Sequence, residues 1–359
     1  MSGQRRFLSF DGESSKTETG GTAKTILARR ADDGRDSPAI HVEGLKKAFG
    51  AVQAVDRISF SVLRGELFGF LGPNGAGKTT TINLLTGLAR PDSGTISVGG
   101  IDCSAHPKAA QHLLGLVPDE SNLYPELTGF ENLCFCAALY GLGKTERQIR
   151  ARKLLQSFDL AEAANRKFAG YSKGMKRKLT IAAGIIHEPE ILFLDEPTTG
   201  IDVASARQIR RLIADFHRGG TTIFLTTHYI EEAERLCDRI AFIVSGRIVQ
   251  VDTVEHLLQP VQHKHIVQVA YTKGVDGLKD KLVSAFPNLE FQGLSEELIR
   301  VEADAPVPVG PLVRFLEDQG GEVTEARRMR PSLEEVFVRI TGLEADSMRK
   351  DQERKGSGA

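Results

Sequence analysis

The chain has 359 residues, of which 41% are hydrophobic, so it is long enough for more than one domain with its own core. Its 46 basic and 47 acidic residues leave a formal charge of -1, which excludes a global field that would recruit nucleic acid or anionic lipid. No apolar run approaches the roughly 18 to 20 residues that span a bilayer, and residues 1–10 lead into no apolar signal-peptide core, so we expect a cytoplasmic protein.

The first part of the chain predicts an extension followed by strands. Residues 1–37 are rich in Gly, Ser, Thr and charged side chains, which predicts a disordered N-terminal extension. Residues 40–43 and 58–62 alternate apolar and polar positions as half-buried strands, and residues 95–98 follow a turn as part of a small hairpin. These segments predict an antiparallel β subdomain beside the apolar run Leu67–Leu71.

The loop after this apolar run matches the P-loop pattern G-x-x-x-x-G-K-[ST] at each fixed position, and a helix-like segment follows it. Glycines let the backbone curl so that its N–H groups point at phosphate oxygens near the positive end of that helix. Lys78 supplies a charge for the β- and γ-phosphates, and the Thr79 hydroxyl is a candidate Mg²⁺ ligand. The alternative is a glycine-rich turn that matches by accident. The predicted nucleotide-binding residues are Gly72, Pro73, Asn74, Gly75, Ala76, Gly77, Lys78, Thr79 and Thr80.

The segments beyond the P-loop predict an α/β core with a helical insert. In order they are a strand at 114–117, helices at 131–140 and 144–158, a buried strand at 191–194, a helix at 204–217 and a strand at 222–226. Strand-helix-strand order implies a parallel sheet. Residues 38–257 are therefore predicted to form one P-loop NTPase domain.

Two carboxylates end the buried strand of this core. Asp195 and Glu196 follow four apolar residues, so they emerge at the carboxyl edge of a parallel sheet, where ligands bind. Asp195 is the expected second anchor for Mg²⁺, and Glu196 is the expected activator of a water against the γ-phosphate. The alternative is a strand-end acidic pair in a turn before Pro197.

A second, smaller domain is predicted at residues 258–342. Its segments are a strand at 266–271, a helix at 277–286, strands at 289–292 and 298–303, a helix at 311–319 and a strand at 322–327. This β-α-β-β-α-β order predicts a ferredoxin-like α+β domain with a regulatory or dimerisation role. A last helix starts at Ser332 with a candidate capping box to Glu335. Residues 343–359 predict a disordered tail.

The four cysteines are expected to be reduced and mostly buried thiols. Cys103, Cys134, Cys136 and Cys237 are too few in so long a chain for a disulfide framework. A metal site at Cys134 and Cys136 is the alternative, and it lacks histidine or cysteine partners at ligand spacing.

Three further motifs together resemble one family. Tyr171–Met175 lies shortly before the acidic strand and resembles the signature of ABC-transporter ATPases. Thr199–Asp202 resembles the D-loop of that family, and His228 resembles its switch histidine. The resemblance spans about residues 40–257 and implies an ATP-binding subunit that hydrolyses ATP, with ATP and Mg²⁺ as cofactors. A GTPase is disfavoured because the Asn-Lys-x-Asp motif is lacking.

The resemblance also implies roles at matching positions. Lys78, Glu196 and His228 are the implied catalytic residues, with His228 contacting the γ-phosphate and holding Glu196 and water in register. Ser172 and Gly174 are implied to touch the γ-phosphate of a partner copy. Two nucleotides are then sandwiched in a homodimer.

Three other positions are assigned through the same resemblance. Asp202 of the D-loop is implied to line the nucleotide site. Phe49 resembles the aromatic that stacks on adenine, and the alternative is a core aromatic near a strand. Asp119 stands where the family has glutamine; it remains a candidate ligand for Mg²⁺ or its water, although its charge repels a close γ-phosphate.

The basic run at residues 176–178 has two interpretations. It adds positive potential toward phosphate or, the simpler expectation, forms a solvated helix face.

Residues 123–128, 171–175 and 331–337 resemble the ATPases of ABC-2 type exporters, a group that includes daunorubicin-resistance and other drug or antibiotic efflux ATPases. This implies efflux of a drug, antibiotic, lipid or polysaccharide through a separate integral membrane permease, docked near residues 119–132. The chain is then peripheral on the cytoplasmic face of the membrane, and nucleic acid is not an expected partner. The alternative is a soluble, non-transport ABC ATPase with a regulatory or remodelling role.

Overall fold

The computed structural model describes residues 38–272, 278–295, 297–329 and 332–342. The predicted extension at 1–37 and the predicted tail at 343–359 lie outside these residues, as do Gly277 and Pro331. Contacts divide the described part into two compact units between Asp252 and Thr253, whereas the sequence pattern places the domain boundary after residue 257. None of the helices in the described ranges is both long and apolar enough to cross a membrane.

The first unit contains two sheets and the helices around them. In chain order its elements are β1 (Ile40–Phe49), β2 (Val52–Val62), β3 (Leu67–Leu71), α1 (Lys78–Leu85), β4 (Ser93–Val98), β5 (Ile101–Asp102), α2 (Pro107–Gln111), β6 (Leu114–Val117), α3 (Gly129–Leu139), α4 (Lys144–Ser157), α5 (Lys173–Ile185), β7 (Ile191–Asp195), α6 (Val203–Arg218), β8 (Thr222–Thr227), α7 (Ile230–Leu236), β9 (Arg239–Val244) and β10 (Arg247–Thr253).

The antiparallel sheet has the order β2-β1-β4-β5 and confirms the predicted β subdomain. Strands β1 and β2 run well beyond the short segments predicted from sequence. The pairing of β1 with β2 shifts register between Val42 and Leu45, next to Gly44 with a φ of 59°. Such a bulge interrupts the alternation of buried and exposed side chains, so the pattern hides the continuation of the strand.

The larger sheet has the order β10-β9-β3-β8-β7-β6. Its pairs β9/β3, β3/β8, β8/β7 and β7/β6 are parallel, as predicted from the strand-helix-strand order. Parallel neighbours end at the same edge, so the segments after β3, β7 and β8 meet there.

Aromatic rings join the two sheets into one core. Phe60 of β2 stacks on Phe68 of β3 with ring centroids 5.5 Å apart. Phe70, Phe193 and Phe224 complete the cluster, and Phe70 and Phe224 lie 5.4 Å apart. Burying a ring of this size stabilises the fold by about 2–3 kcal/mol. All five residues of β3, the strand that leads into the P-loop, are buried.

The helical insert consists of α3 and α4. Helix α3 begins at Gly129, two positions before the predicted start, because Thr128 and Glu131 form a capping box: Thr128 Oγ1 accepts from the Glu131 amide at 3.1 Å and the Glu131 carboxylate accepts from the Thr128 amide at 2.8 Å. Buried Asn132 donates to the carbonyl oxygens of Tyr124 and Leu127, which fixes the segment before the helix.

The second unit is a four-stranded antiparallel sheet with helices. Its elements are α8 (Val254–Gln262), β11 (His265–Thr272), α9 (Leu278–Ala285), β12 (Glu290–Ser295), β13 (Leu298–Ala303), α10 (Val309–Asp318), β14 (Glu322–Met329) and α11 (Leu333–Thr341). From β11 to β14 the order of elements is β-α-β-β-α-β, with the strands arranged β12-β13-β11-β14. The apolar faces of β11, β13, α9 and α10 form the core of this unit.

The capping box expected at Ser332 is not formed. Ser332 precedes α11, but its side chain makes no capping hydrogen bond. The carboxylate of Glu335 lies instead 2.9 Å from the Arg300 guanidinium of β13. A tertiary ion pair has thus replaced the local contact that the sequence pattern suggested.

Candidate nucleotide site

The P-loop connects the end of β3 to the first turn of α1. Gly75 and Gly77 have φ angles of 77° and 104°, in the left-handed region that favours glycine. A Cβ added to Gly72 would lie 2.1 Å from the Ile243 carbonyl oxygen, and one added to Gly77 would lie 2.3 Å from the Ala54 carbonyl oxygen. The loop packs closely against β9 and β2, so Gly72 is required by space, Gly75 by backbone conformation and Gly77 by both.

Lys78 lies over this loop with its side chain buried. Its Nζ donates to the carbonyl oxygens of Gly72 at 2.7 Å and Pro73 at 3.1 Å. The same ammonium lies 3.1 Å from Glu196 Oε1. One positive charge is thus placed at the start of α1, between the phosphate loop and the Glu196 carboxylate just after β7.

Glu196 has an unusual backbone conformation for a residue with a side chain, since its φ is 49°. Its amide donates to the Thr226 carbonyl oxygen at 3.1 Å and contacts Thr226 Oγ1 at 3.2 Å, which holds the strained geometry. Its Oε2 accepts from Thr199 Oγ1 at 3.0 Å and from His228 Nδ1 at 2.8 Å. Because a carboxylate only accepts, Nδ1 carries the proton and the other ring nitrogen of His228 is left for another partner.

The carboxyl group of Glu196 is ionised in this setting. Burial on its own raises the pKa, but the hydrogen bond from His228 and the charge of Lys78 outweigh it, so the pKa of Glu196 lies below its usual value. The site therefore presents a buried anion, which is a proton acceptor at neutral pH.

Asp195 and Thr79 are two of the residues with side-chain oxygen atoms that were predicted to bind Mg²⁺. Buried Asp195 accepts a short hydrogen bond from Thr226 Oγ1, its register partner on β8. Thr79 lies exposed in the first turn of α1. Across the described ranges, no cluster of three or more His, Cys, Asp or Glu side chains could hold a metal. Hard oxygen donors with few carboxylates fit Mg²⁺, which is typically bound together with substrate phosphates and water.

The signature and D-loop residues form a second group at the starts of α5 and α6. Ser172 caps α5, and its Oγ accepts from the Met175 amide at 3.2 Å. Asp202 caps α6, and its carboxylate accepts from the Ser205 amide at 2.9 Å. A Cβ on Gly174 would lie 2.2 Å from Ser205 Oγ, so only glycine lets these two helix starts pack together. Ser172 and Asp202 are both exposed.

Asp119 and Phe49 lie in other surroundings. Asp119 is exposed just after β6, and its carbonyl oxygen accepts from Arg177 Nη1 at 3.0 Å. Phe49 ends β1 with 56% of its surface exposed, which excludes the alternative of a core aromatic. The Lys47 ammonium lies 5.4 Å from the centroid of its ring.

Sequence reasoning missed the roles of four residues around Glu196. Thr199 donates to its carboxylate, and Thr226 accepts from its amide. The sequence signal for Thr226 is the presence of threonine hydroxyls in the buried strand β8. Glu232 and Arg177 are buried charged residues on helices, for which the sequence offers no distinctive signal. The solvated face expected for residues 176–178 is wrong for Arg177 and Lys178, which are 6% and 8% exposed because α5 packs along the sheet edge.

Glu232 should make the stability of the protein depend on pH. Its Oε1 accepts from Thr198 Oγ1 at 2.7 Å, and burial raises its pKa above the usual 4.5. The folded state therefore binds this proton more tightly than the unfolded state, and stability is lost as the pH rises from about 4.5 through the folded pKa. We expect Glu232→Gln, which keeps the acceptor oxygen, to melt a few degrees higher than the wild type at pH 7.5, with the difference shrinking toward pH 4.5.

Circular dichroism melting curves across this pH range measure the effect. Glu231→Gln is the matched control, because Glu231 neighbours Glu232 on α7 but its side chain is 81% exposed. That control should change the melting temperature little at any pH. A Glu232→Gln protein that melts lower than the wild type at pH 7.5 would contradict the expectation.

The fold and the site define a class of protein. A buried parallel strand, a glycine-rich loop with a buried lysine, and an ionised glutamate paired with a histidine on adjacent strands are the parts of a P-loop nucleoside triphosphatase.

Comparison with known proteins identifies the family. The profile described as ABC transporter matches residues 55–199. A daunorubicin resistance ATP-binding protein of Streptomyces coeruleorubidus is 38% identical over 309 residues, which cover 85% of this chain and 96% of that protein. A Nod factor export ATP-binding protein of Ralstonia nicotianae is 38% identical over 316 residues, which cover 86% and 95%.

Comparison with solved structures agrees with this family assignment. One described as the ATP-binding subunit of an ABC transporter is 32% identical, covers 62% of this chain and 93% of its own, and has a TM-score of 0.57. A dimeric bacterial ABC transporter cassette, 24% identical, covers 60% and 98% with a TM-score of 0.57 and shares the fold. The chain belongs to the ABC transporter family, as one of its ATP-binding, ATP-hydrolysing members.

Proposed function

We propose that this chain is the ATP-hydrolysing subunit of an exporter that moves a drug, antibiotic, lipid or polysaccharide through a separate membrane permease. The observation that carries the hydrolytic part is the ionised Glu196 carboxylate, held by His228 and facing Lys78. The export part is supported by the named relatives, which are a daunorubicin resistance protein and a Nod factor export protein.

In the proposed reaction the P-loop amides and Lys78 bind the β- and γ-phosphates of ATP. Glu196 accepts the proton of the attacking water, and His228 fixes the carboxylate through its Nδ1–H. Thr79 and Asp195 are the proposed Mg²⁺ ligands, and bound Mg²⁺ would neutralise charge on the phosphates.

Two predicted contacts complete the proposed nucleotide site from within the chain. Phe49 is proposed to stack on adenine, and its exposed ring supports this assignment. Asp119 keeps its proposed role toward Mg²⁺ or a water bound to it. This role is supported by its exposed position just after β6, the strand that neighbours β7 and Asp195.

We further propose that two copies form the working unit. Ser172, Gly174 and Asp202 lie together at helix starts, and the two polar side chains are exposed. The start of the 13-residue helix α5 suits a phosphate supplied by the P-loop of another copy. The second unit, predicted from the sequence to span residues 258–342, is proposed to support dimer formation or regulation.

The separate membrane permease is the most specific part of the proposal. It is proposed to dock near residues 119–132 and to hold the chain on the cytoplasmic face of the membrane. Affinity purification of the tagged chain from detergent-solubilised membranes of its host should recover an integral membrane protein. Candidate export substrates should then stimulate the ATPase rate of the purified pair. Recovery of soluble partners alone, without any membrane protein, would favour the alternative of a non-transport regulatory ATPase.

A further inference from the structure

Arg177, in the second turn of α5, has a buried guanidinium that donates to four backbone carbonyl oxygens. Its Nε donates to Pro197 at 2.9 Å, Nη1 donates to Pro118 and, at 3.0 Å, to Asp119, and Nη2 donates to Asp195. The side chain is 6% exposed. The fixed planar fork of arginine makes such a set of contacts, whereas a lysine ammonium is a point charge on a flexible stem.

These contacts join three parts of the proposed nucleotide site. Pro118 and Asp119 follow β6, while Asp195 ends the neighbouring strand β7 and Pro197 lies two residues beyond it. The arginine itself belongs to α5, which starts next to Ser172. One side chain therefore connects the Asp119 segment, the catalytic carboxylates and the helix that presents the signature residues.

The contact with Asp195 acts on the backbone of Glu196. The carbonyl oxygen of Asp195 and the amide of Glu196 belong to the same peptide group. Arg177 binds the oxygen, while Thr226 accepts from the amide at 3.1 Å. Held from both sides, this peptide cannot rotate freely, which helps to maintain the left-handed φ of 49° at Glu196.

The charges around Arg177 support its role in connecting these segments. Burial lowers the pKa of Arg177, and the negative charges of Asp119, Asp195 and Glu196 oppose that lowering. Arginine stays protonated even when its pKa falls somewhat, so the guanidinium remains a buried cation beside these carboxylates.

We propose that Arg177 is a positioning residue for ATP hydrolysis, which orients the Asp195–Glu196 peptide and ties it to the Asp119 segment and to α5. This inference rests on the proposed hydrolytic function of Glu196. The four hydrogen bonds described above all go from Arg177 to backbone carbonyl oxygens, and none of them goes to the P-loop lysine. Arg177 therefore acts through Glu196. Loss of Arg177 therefore affects turnover more than nucleotide binding.

The test compares full-length Arg177→Gln with the wild type by steady-state ATPase kinetics and by titration with a fluorescent ATP analogue. We expect kcat to fall about tenfold or more, because small misplacements of a catalytic group are costly, while the Kd of the analogue changes less than about threefold. Arg177→Lys, which keeps the charge but not the fork, should also lose kcat at least several-fold and serves if the glutamine variant does not fold.

Arg150→Gln is the matched structural control. Arg150 also donates to a backbone carbonyl, that of Ile186 at 3.1 Å, but at the opposite end of α5. This variant should lower the melting temperature and leave kcat of the folded protein within about twofold. A wild-type kcat in Arg177→Gln, or full recovery in Arg177→Lys, would overturn the proposal. The proposed function is judged separately, by whether the wild type hydrolyses ATP and Glu196→Gln does not.

Discussion

Replacing Glu196 with glutamine is expected to lower the kcat of ATP hydrolysis by about 10²- to 10⁴-fold, the range that a general base contributes. Glutamine has nearly the same size and keeps one acceptor oxygen for the His228 Nδ1–H, whereas the ion pair with Lys78 is lost. What is lost is the ionised oxygen pair that accepts a proton from water. ATP affinity should change little, because the carboxylate is not among the predicted phosphate ligands.

Single-turnover ATPase assays and nucleotide titration measure the two quantities separately. The Glu196→Gln protein should also remain in an ATP-bound dimer, seen as a larger species by size-exclusion chromatography with ATP and Mg²⁺. Glu231→Gln, on the exposed surface of α7, is the control that should leave kcat unchanged. Turnover within a few-fold of the wild type in Glu196→Gln would remove Glu196 from the role of general base.

Replacing Lys78 with alanine is expected to weaken ATP binding itself, by about 10- to 100-fold, which corresponds to the 1.5–3 kcal/mol of a hydrogen bond to a charged group. The ammonium lies within a loop whose carbonyl oxygens it contacts, and its charge is not replaced by any part of an alanine side chain. The substitution also removes the cation 3.1 Å from Glu196, so the buried carboxylate loses a partner and the protein should melt at a lower temperature.

Isothermal titration with ATP and Mg²⁺ measures the affinity of the Lys78→Ala protein, and a melting curve confirms that it is folded at the titration temperature. Lys144→Ala is a matched control, since Lys144, like Lys78, is the first residue of a helix in the first unit but lies exposed at the start of α4. Unchanged ATP affinity in a folded Lys78→Ala protein would show that the P-loop lysine does not bind phosphate.

The local parts of the site could be predicted from the sequence because their residues are adjacent in the chain. The P-loop is a run of nine positions whose spacing alone indicates phosphate binding, and the pair Asp195–Glu196 ends an apolar strand. The resemblance to a family added His228. That resemblance also implied that His228 holds Glu196, but the sequence did not indicate the left-handed backbone of Glu196 or that Nδ1 is the donor, since both depend on β7 and β8 lying side by side.

Arg177 shows why the remainder of the site was missed. Its acceptors are separated from it by up to 59 positions along the chain, at Pro118, and no local pattern marks such a contact. A basic run on a helix is usually solvated, and only the packing of α5 along the sheet edge buries this one. Burial of a charge, unlike spacing, is decided by tertiary structure.

The prediction of the fold also succeeded where local patterns decide the structure and failed where tertiary contacts decide it. Elements with clear periodicity, such as the buried strand β7 and the helix α6, were predicted within a residue or two. Strands β9 and β10 were not assigned, although Ile240–Ile243 is an apolar run, because a short apolar run does not by itself distinguish a strand from a buried helix. Register shifts and tertiary ion pairs, as at Gly44 and Glu335, override local signals.

Two copies of the chain are proposed to complete each nucleotide site, and mixing two inactive variants tests this most directly. Lys78→Ala disables the P-loop, while Ser172→Asp keeps a good helix cap but places a carboxylate where the γ-phosphate of the other copy is expected. Each variant alone should be inactive. An equimolar mixture should recover about a quarter of the wild-type ATPase rate, because half of randomly paired dimers are mixed and each mixed dimer has one intact site. A mixture as inactive as its components would contradict a site shared between copies.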